Sequence, residues 1–149
     1  CLVSFIAVQA MLDALVGWWF GLVGQPYMDS RYLLGKLFWP VAFLMGVDAA
    51  DCDAVAQLVA IKTLLNEFVA YLQLVQNDSL STRSVAIATY ALCGFSNLSS
   101  VGIQLATLGV LAPKRRLELT RMAASTLACG FLACCLTACV ASVLLQEEE

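Results

Sequence analysis

The 149-residue chain contains no histidine, three prolines, and charged residues at only 13% of positions. Without histidine it has neither the commonest metal ligand nor the usual proton carrier near neutral pH. The few charges are segregated rather than spread. Lys114, Arg115 and Arg116 form one basic knot, with Arg121 shortly after, while Glu147, Glu148 and Glu149 close the chain. No basic field suits nucleic acid, so that class of partner is excluded. A catalytic set is also missing: no cysteine stands beside a possible base, and only one carboxylate sits deep in an apolar stretch. An enzyme is therefore not expected. There are seven cysteines, but no CxxC pair, and Cys93, Cys129, Cys134, Cys135 and Cys139 fall inside apolar segments. They read as small packing residues, not as a disulfide framework or a metal site.

What is abundant is apolar surface. Hydrophobic residues make up 61% of the sequence and the mean hydropathy is +0.84. Soluble domains carry less apolar and about twice as much charged residue, so the chain reads as an all-α membrane protein. Residue 1 is Cys and the apolar run begins at once, without a basic leader or a small-residue cleavage site. The chain is expected to be a segment of a longer polypeptide.

Five elements follow. Residues 1–23 supply a full transmembrane span, with Trp18, Trp19 and Phe20 as an interfacial belt. Residues 24–30 read as a turn. Residues 31–47 carry two basic residues and Trp39-Pro40 in a short stretch, which suits an interfacial helix. Residues 51–75 are long enough to cross, but the energetics oppose a plain span. Eleven Leu, Ile, Val and Phe residues contribute about −0.3 to −0.6 kcal/mol each, whereas a central Lys62 and Glu67 cost about +2.5 to +3.5 each. The sums nearly cancel before Asn66 is counted. Two short arms of a re-entrant helical hairpin, with the polar group at the tip, are the alternative, provided protein or water covers the break.

Residues 84–111 are charge-free and of spanning length, yet their middle reads "GFSNLSSVG" (94–102). One reading is close helix packing through small polar residues. The other is a discontinuous transmembrane helix, with Gly94 and Gly102 favouring the break and Asn97 or Ser99 capping the new end. Residues 117–145 form a C-terminal transmembrane helix rich in Ala, Cys, Gly, Ser and Thr. The basic loop 114–116 is expected in the cytoplasm and the C-terminus on the opposite side.

Asn66 and Glu67 on one segment, and Ser96, Asn97, Ser99 and Ser100 on the next, fall at similar depth. An intramembrane carboxylate is a functional candidate by default. With amide and hydroxyl neighbours it suits a neutral polyhydroxylated solute, with small cations as a second option. The competing reading is a non-transporting scaffold or receptor subunit in which Glu67 forms a buried ion pair with Lys62. The five-residue spacing is poor for that pair on one unbroken helix, but the pair could form across a hairpin tip.

At these residues the sequence resembles a known family. "KTLLNEFVAYLQL" (62–74), "IATYALCGFSNLSSVGI" (87–103), "LAPKRR" (111–116) and "FLMGV" (43–47) are similar, in order and spacing, to the C-terminal half of the concentrative nucleoside transporters. The resemblance covers about residues 40–145. It implies one of two inverted repeats: the second hairpin, the broken helix and the final helix, with residues 1–23 as a scaffold helix near a homotrimer interface. It also implies ion-coupled symport of nucleosides, by sodium or protons, in the plasma membrane. Glu67, Asn97 and Ser100 would bind ribose hydroxyls and Phe95 would pack against the nucleoside, with Asn66, Ser96 and Ser99 in support. The base-recognition motif and the sodium ligands belong to the other half, so no cofactor or metal ligand is expected in this one. Ser96 and Leu98 depart from the Ala and Phe or Ile common at these places, which bears on the shape of the pocket.

Overall fold

The computed structural model describes residues 2–22 and 30–145, and every regular element in them is helical. The turn read at 24–30, apart from Ser30, lies outside the described residues, as do Cys1 and the Glu147–Glu149 tail. In chain order the elements are α1 (Leu2–Leu22), α2 (Ser30–Leu44), α3 (Cys52–Leu64), α4 (Glu67–Val75), α5 (Thr82–Leu92), α6 (Leu98–Leu111), a 3₁₀ turn (Pro113–Arg115) and α7 (Arg116–Leu144).

Length sorts these helices. At ~1.5 Å per residue, α3, α4, α5 and α6 are each between ~13 and ~21 Å long, short of the ~30 Å hydrocarbon layer. The helix Pro113–Leu144, which joins the 3₁₀ turn to α7, is both long and apolar enough to cross a membrane. The short helices come in two pairs, α3 with α4 and α5 with α6, each interrupted by a few non-helical residues.

The core forms where α2, α3, α5 and α7 meet. Met45, Val47, Val55, Val59, Ile87 and Leu92 are buried there. Ala42, Ala56, Ala60, Ala70, Ala88 and Ala138 are fully buried as well. In lipid the hydrophobic effect gives helices no reason to associate, so close backbone approach through small residues has to do it. Gly35 of α2 illustrates the closeness: a Cβ there would lie 2.9 Å from Gln57 Cγ of α3. The outward faces stay apolar. Trp18, Trp19, Leu136 and Val143 are among the exposed large side chains.

One end of the molecule is tied together by polar groups. Gly46, at φ +87°, turns the chain out of α2, and a Cβ there would collide with Ser142 Oγ. Arg83 of α5 donates to Gly46 O at 2.8 Å and to Ser142 Oγ at 3.0 Å and Ser142 O at 3.3 Å. Lys36 pairs with Asp53 at 2.6 Å between α2 and α3.

Candidate functional site

Both helix interruptions are built from an asparagine. After Leu65 (φ −94°, ψ −93°) the backbone leaves α3, and Asn66 is extended, with its side chain accepting from Val69 N–H at 2.9 Å. That satisfies one of the orphan donors of α4, and Glu67 becomes its first residue, where the helix dipole favours a negative charge. The second interruption repeats the device. Asn97 is extended and accepts from Ser100 N–H at 2.7 Å, starting α6. Its amide then donates to Glu67 Oε2 at 2.8 Å, joining the two helix starts. Asn97 is 1% exposed and Glu67 is half-buried.

Gly94 makes the second break possible. Its φ of +129° is a conformation that L side chains rarely adopt, and an added Cβ would lie 2.8 Å from Cys134 Sγ of α7. Gly102 plays no such part: it sits inside α6 with open space around it. Ser99 likewise does not cap, because Asn97 already fills that role two residues earlier and Ser99 lies inside the first turn of α6.

The end of α5 is closed by side chains from other helices. Thr89 O accepts from the Cys93 N–H at 3.2 Å and from the Tyr71 hydroxyl at 2.7 Å. Ala91 O accepts from Lys62 Nζ at 2.8 Å, and Cys93 O from the Cys134 thiol at 3.1 Å. The buried Lys62–Glu67 ion pair is thereby corrected. Among the described residues no ion pair joins them, since the backbone breaks between the two and sends each side chain to a different partner on the α5–α6 segment.

Beside the Glu67–Asn97 bond lies a cavity of about 330 Å³. Asn66, Glu67, Phe95, Asn97, Ser99 and Ser100 line it together. Ser96 does not. It is buried against α7, with its Oγ 3.6 Å from Cys134 Sγ, and borders a separate, larger cavity of about 410 Å³ between α6 and α7. Phe95 is 73% exposed and borders both. Phe68, Ile103 and Gln104 also line the smaller cavity and were not singled out from the sequence. Ile103 and Gln104 lie three and four residues beyond Ser100, hence on the same helix face, so extending the serine pattern by one turn would have found them.

Chemically, the smaller cavity offers a carboxylate with remaining acceptor capacity, amide and hydroxyl groups of both polarities, and an aromatic face. Two capped helix starts thus meet beside one cavity, within an all-α membrane fold whose short helices come in interrupted pairs.

The comparisons give the family. Residues 1–142 match the model described as "Na+ dependent nucleoside transporter C-terminus", and the chain belongs to that family. It is 36% identical to sodium/nucleoside cotransporter 1 of Mus musculus and 37% identical to solute carrier family 28 member 3 of Eptatretus stoutii, over 96% of its own length in both cases. These alignments cover 24% and 23% of the relatives, so the chain spans about a quarter of their length. Among solved structures, CNTnw in an inward-facing substrate-bound state superposes with a TM-score of 0.85 at 32% identity, over 95% of this chain and 36% of that one. A CNTnw variant in an intermediate state reaches a TM-score of 0.90 at 31% identity, over 96% and 36%. The relatives are cotransporters, not enzymes.

Proposed function

We propose that the chain is the substrate-binding C-terminal half of a sodium-coupled nucleoside symporter. The Glu67–Asn97 hydrogen bond carries this reading, because it sets a carboxylate at the edge of a cavity where uncharged polar groups stand among Phe68, Phe95 and Ile103. A ribose presents hydroxyl donors to such a carboxylate and acceptors to the amide and serine hydroxyls, while a base presents a flat face to Phe95. Glu67, Asn97 and Ser100 are assigned to the ribose and Phe95 to the nucleoside face. Asn66 and Ser99 support them from the cavity wall, and Ser96 supports the break from behind.

In this reading, residues 51–75 are a re-entrant hairpin and 84–111 a discontinuous helix. Residues 1–23 are a scaffold helix at a homotrimer interface, and 31–47 lie along the membrane surface. The Lys114–Arg116 loop faces the cytoplasm of a plasma-membrane protein. The coupling ion binds in the other half.

The test is uptake of labelled uridine and adenosine into vesicles holding the full-length transporter that carries this segment. An inward sodium gradient should drive accumulation. Accumulation with a proton gradient alone would replace sodium by protons as the coupling ion, and no accumulation of either nucleoside under any gradient would overturn the assignment.

A further inference from the structure

Lys62 is the largest fully buried side chain among the described residues, and no carboxylate there lies within ion-pair distance of it. A buried ammonium is costly to maintain, so what it faces matters. Its amine donates to Ala91 O at 2.8 Å, one residue before the last of α5. The carbonyl end of a helix carries about half a negative charge, concentrated on carbonyls that have no partner further along. At breaks in membrane helices, these ends and the unwound carbonyls beside them are the groups that hold small cations. The neighbouring carbonyls at this break are already taken by neutral donors: Thr89 O by Tyr71 and the Cys93 N–H, and Cys93 O by the Cys134 thiol. Ala91 O alone among these receives a cationic group.

We propose that Lys62 is a tethered cation. Its ammonium occupies the carbonyl end of α5, where a free monovalent ion would otherwise be held, and so closes the break at the back of the Glu67–Asn97 site without ion binding. Lys62 is in this sense a positioning residue. It touches α5 rather than the cavity, and it sets where α5 stops and therefore where Asn97 starts α6. This inference rests on the transport reading only in its uptake arm.

Three variants in the full-length transporter separate charge from volume. Lys62→Ala removes the ammonium and leaves room beside Ala91 O, Lys62→Met fills the room with a neutral stem, and Lys62→Arg keeps the charge. Purified protein is melted in NaCl and in N-methylglucamine chloride of equal strength. Lys62→Ala should gain more thermal stability from sodium than the wild type, whereas Lys62→Met and Lys62→Arg should not. In uptake, the Hill coefficient for sodium should rise by about one in Lys62→Ala, as one more ion becomes linked to the active state. Equal sodium effects in Lys62→Ala and the wild type, equal effects in Lys62→Ala and Lys62→Met, or a Lys62→Ala protein that stays unfolded in NaCl, would each overturn the proposal. A wild type that moves no nucleoside would count against the transport reading instead, and the melting comparison would still decide the role of Lys62.

Discussion

Glu67 and Asn97 stand thirty residues apart in the chain and meet at 2.8 Å, each at the start of a helix that follows a break. One asparagine side chain thereby does two things. Its oxygen begins α6 and its amide holds the carboxylate that begins α4. Position and chemistry of the candidate site are coupled through this residue.

Glu67→Gln keeps an amide oxygen for Asn97 but removes the negative charge. Hydrogen bonds to charged groups contribute about 1.5–3 kcal/mol, so apparent nucleoside affinity should fall roughly 10- to 100-fold. Surface expression should hold. Labelled-uridine uptake against surface biotinylation checks this, and unchanged uptake would remove Glu67 from the site.

Asn97→Ala should act on both folding and binding. Loss of the helix cap costs about 1 kcal/mol, and Glu67 loses its partner. The apparent KM should rise more for ribonucleosides than for 3′-deoxy analogues. Equal increases for the two substrate sets would make Asn97 a capping residue and nothing more.

Gly94→Ala should destabilise the protein by about 1–3 kcal/mol, the range for a side chain forced into a sparsely populated backbone conformation. Cys134→Ala in the same protein should recover only part of the loss, because it removes the 2.8 Å contact and leaves the φ of +129°. Thermal melting in detergent of both variants measures the split.

Arg83→Met should loosen the end of the molecule opposite in kind to the site, where the guanidinium joins the α2 exit to the end of α7. Removing charge-assisted bonds to Gly46 O and Ser142 should cost at least about 1.5–3 kcal/mol. The melting temperature should drop, while the nucleoside KM of the remaining folded protein stays within about twofold of wild type, since a site beyond 7–10 Å with no shared partner is nearly independent.

Part of the candidate site is legible from local patterns. Asn66-Glu67 stand out because polar groups in apolar runs are expensive, and Asn97 stands out also because Asn before a helical stretch is a strong cap. Ser96 groups with its neighbours by proximity in sequence, yet it turns to α7, since an extended break alternates the directions of adjacent side chains. Gly102 matched Gly94 in composition but not in role. A glycine inside a continuing hydrogen-bond ladder does not end a helix, whereas one at positive φ beside a crowding thiol does.

By itself the sequence determined the class of solvent, marked the two polar stretches in apolar runs as candidate breaks and offered Asn97 as a cap for one of them. Those follow from transfer energies and capping preferences, which act within a few residues. Only the tertiary structure decided which partner each buried charge takes. Lys62 and Glu67 are five residues apart and look like candidates for each other, yet one donates to the end of α5 and the other accepts from the start of α6. The choice depends on how the backbone turns at Leu65–Asn66 and on a second broken helix about thirty residues away. Spacing along one segment carries no record of either.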